Sequence, residues 1–325
     1  MQILFPFAVE ALEKAIPTPR QFNSNKYGFI DEKGKIVIQP RYGFAFGFKD
    51  GMAAVYEGKK DWFLYVEPSW GYINYAGKYV IPPKFYHTEE FSEGVAYVQG
   101  KTGYGYIDTT GKYVIQPKYD KANNFYKGLA EVYKNGKCGF INKSGKEVIE
   151  VAYEECGDNK FVENVLPVKA NGKWGYINKD NKYIVGSQFD IAFPFSDGLA
   201  AIQDKSKYGF IDISGNIVIK PIFNKVGEFS NSLAPYKIDN LWGYINKKGE
   251  SVINPTFEKA AIFSEGLANI QIGGKWGFVD TKGRMMIPVQ FDDAWPFKNG
   301  ISSVVIKKNG NWLYRNIDIK GNYVE

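Results

Sequence analysis

The chain of 325 residues carries a net charge of +6 at pH 7 and is 17% aromatic with 35 glycines, a mix that favours strands and turns over helices. No run approaches the roughly 18–20 apolar residues of a membrane span. The basic charge is nearly all Lys, with Arg only at positions 20, 41, 284 and 315, which argues against a dedicated nucleic-acid reader.

In chain order, the first stretch, "MQILFPFAVEAL", is apolar but lacks a basic leader and a small-residue cleavage site, so it does not read as a signal peptide. The default location is therefore cytoplasmic, and residues 1–22 are expected to form an N-terminal cap. From residue 23 to 325 the chain repeats. An aromatic-Gly pair falls at Tyr27-Gly28, Trp70-Gly71, Tyr104-Gly105, Trp174-Gly175, Tyr208-Gly209, Trp242-Gly243 and Trp276-Gly277, with Cys138-Gly139 in the same register. The steps are 43, 34, 34, 36, 34, 34 and 34, and a decayed ninth unit starts at Trp312.

Each unit opens with a strand of the form aromatic-Gly-Phe/Tyr-Ile/Val-Asp/Asn. Three residues later comes Gly (34, 77, 111, 145, 215, 249, 283), or Asn181 in one unit. Asp or Asn opening a tight turn that closes on a residue tolerating positive φ predicts a hairpin. The return strand reads Val-Ile-x-Pro, as in Val218-Ile219-Lys220-Pro221, and proline is expected to end its ladder. An acidic residue follows (Asp120, Asp190, Glu258, Asp292) and is expected to cap one short helical turn. A third strand, "GLAEV" or "GLANI", closes the unit.

Such units cannot bury their own aromatic faces and must stack on neighbours. The fold expected is all-β: a tandem array of about nine three-stranded units of ~34 residues, the last one partial. An open superhelix or solenoid is the first reading and a closed propeller-like ring the alternative. Tyr27, Trp70, Tyr104, Trp174, Tyr208, Trp242 and Trp276 are read as structural packing rings. The glycine beside each ring is expected to admit the next unit's ring or backbone.

The pattern resembles the WG-repeat (KWG-repeat) family, widespread in bacterial proteins, over roughly residues 22–325. The resemblance implies an all-β interaction module with no catalytic residues to carry over. Cys138 in the aromatic slot, Leu313 in the glycine slot, and Val151, Ser187 and Val289 in the proline slot depart from the pattern.

Little in the sequence points to catalysis. His87 is the single histidine, which excludes His-based triads and multi-histidine metal sites. Cys138 and Cys156 are too few for a disulfide framework and lack zinc spacing, and Cys138 reads as a small buried hydrophobe. "GVAYVQGKT" has the wrong glycine spacing for a phosphate loop and joins strand to strand. The recurring Asp120, Asp190, Glu258 and Asp292 read as structural caps. Lys26, Lys137, Lys173, Lys207 and Lys275 precede the aromatic slot and read as a solvated basic edge. The clearest break in the period is the insertion before Trp70, where Lys59, Lys60, Trp62, Phe63 and Tyr65 make a candidate partner-binding loop. The function expected is a non-catalytic scaffold for another protein, with no cofactor and no metal. A glycan-binding protein is the alternative, and weak single-stranded nucleic-acid binding the third reading.

Overall fold

The computed structural model describes residues 16–22, 25–58, 67, 69–157 and 161–324. Among them every regular element is a β-strand, arranged as nine small sheets in tandem, none closed on itself. Among the described residues no helix is long and apolar enough to cross a membrane. The chain divides into two compact units, Met1–Tyr153 and Glu154–Glu325.

The sheet is not the sequence repeat but is offset from it. Strand Leu199–Asp204 pairs with the aromatic-Gly strand Lys207–Asp212 that follows it, which in turn pairs with the return strand Ile217–Phe223. The "GLAAI" strand thus belongs to the next sheet instead of closing its own unit. The expected helical turn is absent: those residues form a fourth, edge strand such as Lys225–Val226 or Lys259–Ala260. Eight sheets are accordingly four-stranded. The first has three strands, and there residues Thr18–Gln21 of the expected cap pair with Tyr27–Ile30; residues 1–15 lie outside the described set.

The hairpin turns form as their residues dictate. Asp212 Oδ1 accepts from the Ser214 and Asn216 amides at 2.9 and 2.8 Å, and Gly215 closes the turn at φ 86°. Asn181, the one substitute for glycine, sits at φ 59°, as its short side chain permits.

The glycine of the aromatic-Gly pair has a different job from the one expected. A Cβ on Gly175 would lie 2.6 Å from Val185 O and 2.7 Å from Ser187 N, atoms of its own sheet's return strand. Opposite this glycine the ladder skips: Trp174 pairs with Phe189, but Tyr176 with Val185. The extra return-strand residues bulge onto the glycine and leave no room for a side chain. Proline therefore lies inside the return strand, at the bulge, as Pro221 does in Ile217–Phe223. Contact between neighbouring sheets falls to the hairpin glycine instead. A Cβ on Gly249 would meet Ile219 of the preceding sheet at 3.2 Å.

Both faces of an inner sheet are covered, so the core is a series of layers between sheets. Leu199, Phe210, Ile219 and Phe223 of one sheet pack on Phe229, Ala234, Tyr236 and Ile245 of the next. The most deeply buried rings stand two residues after the aromatic slot: Phe29, Tyr72, Tyr106, Tyr176, Phe210, Tyr244 and Phe278 are all 0% exposed. Of the slot itself only Trp70, at 1%, is a fully buried ring. Tyr27, Tyr104, Trp174, Tyr208, Trp242 and Trp276 are half-buried.

Side-chain ladders run from sheet to sheet through the edge turns. The Gly94 amide donates to Asp50 and the Gly128 amide to Glu93 in the first unit. In the second, Gly198, Ser232 and Gly300 donate to Glu163, Asp197 and Glu265 at 2.8–3.0 Å. Beside them the Ser196, Ser230 and Ser264 hydroxyls donate to the carbonyls of Phe229, Phe263 and Phe297. Lys247 holds Asp197 below the usual carboxylate range, and Lys173 and Lys275 do the same for Asp190 and Asp292. A group with a lowered folded pKa contributes stability above its unfolded value and loses it as pH falls through the folded one. The melting temperature should therefore be flat from neutral pH down to about pH 5 and drop below about pH 4. The Asp197→Asn variant should show a shallower acid drop in the second unit, and an unchanged profile would remove Asp197 from the account.

The last sheet shifts the register of the ninth repeat. Val305 pairs with Tyr314 and Ser303 with Asn316, matching Gln271 with Trp276 and Asn269 with Phe278. The aromatic-Gly slot is thus Tyr314-Arg315, two residues later than the alignment on Trp312, because each strand of this hairpin is longer by two residues. Asn316 stands where a ring is elsewhere buried, and Ser303 Oγ lies 3.0 Å from its Oδ1.

Both cysteines are disulfide-bonded. The burial expected for Cys138 is present at 0% exposure.

Candidate functional site

The insertion lies between the paired strands Met52–Tyr56 and Trp70–Ile73. Its base is fixed by the Glu57 amide donating to Ser69 O at 2.9 Å and by Tyr56 lying 5.3 Å from Trp70, ring to ring. The Tyr79 hydroxyl donates to Glu57 at 2.6 Å. Lys59, Lys60, Trp62, Phe63 and Tyr65 lie outside the described residues.

The acidic row caps turns, but of hairpins. Asp120 accepts from the Asn135 amide, Asp190 from Lys205, Glu258 from Gly273 and Gly274, and Asp292 from Lys307. Two of the lysines ahead of the aromatic slot complete this corner: Lys173 meets Asp190 at 2.5 Å and Lys275 meets Asp292 at 2.6 Å. Lys207 donates to Asn224 at 3.1 Å. These side chains are committed to holding the hairpin, not gathered into a basic surface.

Sequence reading passed over the edge strands. Just before the recurring buried Phe (48, 91, 125, 195, 229, 263, 297) stand two residues that follow no rule: Phe46-Gly47, Glu89-Glu90, Asn123-Asn124, Phe193-Pro194, Gly227-Glu228, Ala261-Ile262 and Trp295-Pro296. Variability at a fixed offset from an unvarying Phe was the available signal. Each pair lies at the open edge of its sheet, where no further strand pairs.

In the first unit this edge is polar. Asn124 Nδ2 donates to Glu89 at 3.3 Å, the Gly47 amide to Glu90 at 3.1 Å, and Asn123 Nδ2 to Glu131 at 2.7 Å. Burial raises the Glu131 carboxyl, against the donors Tyr133 and Asn123. His87 packs 6.0 Å from Trp70 and 5.9 Å from Tyr97, and burial lowers its pKa, so it is neutral at physiological pH.

In the second unit the edge is apolar. Phe193 and Ile262 are 37% and 39% exposed and Trp295 45%. A hollow of about 330 Å³ lies by Phe193 and Ile262, lined also by Ala201, Val226, Gly227 and Glu228. A second hollow, about 530 Å³, opens on the last sheet beside Tyr314, Arg315, Asn316 and Tyr323. The bonded sulfurs of Cys138 and Cys156 are not the thiolates that hold zinc.

No curated protein matches the sequence. Among solved structures, the chain is similar to Hsv2p of Kluyveromyces lactis, at 8% identity and TM-score 0.38, over 72% of this chain and 97% of that one. It is also similar to apo AztD of Citrobacter koseri, at 13% identity and TM-score 0.36, over 85% and 91%. With PorZ of Porphyromonas gingivalis the figures are 12% and 0.30, over 96% of this chain and 51% of that one. The model of the WG containing repeat matches eight times in succession, at residues 27–60, 70–101, 104–138, 139–174, 174–208, 208–242, 242–276 and 276–312. With its aromatic-Gly strands, bulged return strands and Asx hairpins repeated along nearly its whole length, the chain belongs to the WG-containing repeat family.

Proposed function

We propose that this repeat-containing all-β chain is a non-catalytic scaffold that binds another protein along its edge strands. One observation carries the reading. The framework positions recur from sheet to sheet, while the half-buried to exposed pair at each open edge changes from Phe-Gly to Glu-Glu, Asn-Asn, Gly-Glu and Ala-Ile. A recurring framework with varied residues along its open edges is how solenoid proteins present extended binding faces. Nucleic acid is the poorer partner, since Lys173 and Lys275 are held by carboxylates. Affinity through lysines alone would fall steeply between about 50 and 200 mM salt.

The test is a pull-down with the full chain against two edge variants, Phe193→Ser with Ile262→Ser, and Glu89→Gln with Glu90→Gln. Mass spectrometry of the retained proteins should show partners lost with at least one pair. Partners retained equally by both variants, with unchanged melting curves, would remove the edge strands as the binding face.

A further inference from the structure

We propose that the hollow on the second unit's edge binds an extended peptide whose one large apolar side chain is flanked by acidic residues. This rests on the scaffold reading and names the partner's chemistry. The space is there because two positions are small. Ala201 stands at a register position that holds Tyr97, Glu131, Pro167, Pro235 and Asn269 in other sheets. Gly227 is the other, where a Cβ would lie 2.7 Å from Pro235 Cγ and 3.4 Å from Ile262 Cγ2. The resulting 330 Å³ is at the low end for ligand pockets, suited to one aromatic or branched side chain. Phe193 and Ile262 hold apolar surface in water at its lip, and covering it is favourable.

Charge selects what surrounds the anchor. Lys225 adjoins Val226 of the lining and pairs across the strands with Lys237. Lys259 lies on the next edge strand, leading to Ile262. None of these three lysines has an ion-pair partner among the described residues, in contrast to Lys173, Lys247 and Lys275. Lys237 and Lys259 rest over the rings of Trp242 and Trp276 at 6.0 and 5.7 Å. The nearby carboxylates of Asp190 and Glu258 are already occupied by Lys173 and by turn amides. Glu228, in the lining itself, disfavours an acidic residue directly over the hollow. The acids therefore belong beside the apolar anchor, toward the lysines at the start of the edge strands.

The test uses the full chain and three short fluorescein-labelled peptides read by anisotropy. One has a central Leu-Phe flanked by Asp and Glu, the second has those acids changed to Lys, and the third has the Leu-Phe changed to Ser-Ser. Only the first should bind, more weakly as salt rises from about 50 to 200 mM. Ala201→Tyr fills the hollow with a side chain that the same register position already accepts as Tyr97, and should weaken binding at least ~10-fold. Lys225→Glu with Lys259→Glu should do the same. Phe193→Ser, at an exposed site, is the companion variant should Ala201→Tyr lower the melting temperature. Equal binding of the Lys-flanked peptide, undiminished binding by Phe193→Ser and the lysine variant, or no binding of any peptide overturns the proposal. If no peptide binds while the pull-down partners are still lost on Phe193→Ser with Ile262→Ser, the peptide class is wrong and the scaffold reading stands. If the partners ignore every edge variant, the scaffold reading falls as well.

Discussion

Phe210→Ala is expected to destabilise its region by about 3–5 kcal/mol, the cost of emptying a fully buried aromatic site. The ring is 0% exposed, lies 4.7 Å from Phe229 and sits at the centre of the layer between two sheets. Trp242→Ala removes a larger ring, but one that is half-buried and flanked by Lys237, so its cost should be smaller. The order of the two effects in urea unfolding is the measurement. Because a repeat array couples mainly nearest neighbours, the Phe210→Ala transition should also split into two phases. A Trp242→Ala protein less stable than Phe210→Ala would return the aromatic slot to the centre of the packing.

Gly175→Ala is expected to cost about 3 kcal/mol, the upper end of overpacking penalties, although it adds a single methyl group. The methyl has backbone on the far side, Val185 O and Ser187 N at 2.6 and 2.7 Å, and backbone in a hydrogen-bonded sheet cannot step aside as a flexible side chain can. Gly186 supplies the control in the same sheet: it has no atom within 4 Å of a built Cβ and no positive φ. Gly186→Ala should be neutral or stabilising by about 0.4–1 kcal/mol, through loss of unfolded-state freedom. Paired thermal melts decide it. Equal costs at the two sites would mean that generic strand propensity, and not the bulge, explains the glycine.

Much of this architecture was written locally. The Asx-Gly hairpins, the alternating rings and the 34-residue period each depend on residues a few positions apart. Asp212 with Gly215, or Asn178 with Asn181, act within one turn. Sequence therefore determined the all-β class, the number of repeats and the turns, since short-range sterics and hydrogen bonding settle each of them, whereas Asp190 and Asp292 cap hairpins 15 residues further along the chain instead of the helical turn expected.

Tertiary structure decided which strands share a sheet, which ring is buried and what each glycine faces. "GLAAI" has the same propensity whether it pairs backward or forward. The tight turn to Lys207–Asp212 and the layer formed with the following sheet send it forward. The tryptophan is the larger ring, yet Phe210 and Tyr244 are the ones enclosed, because they sit mid-strand between two sheets while the tryptophan lies next to the hairpin end. The edge-strand row was hidden for the same reason. Phe193, Val226 and Ile262 come from three successive sheets, and only the stacking of those sheets places residues so far apart in the chain around one hollow.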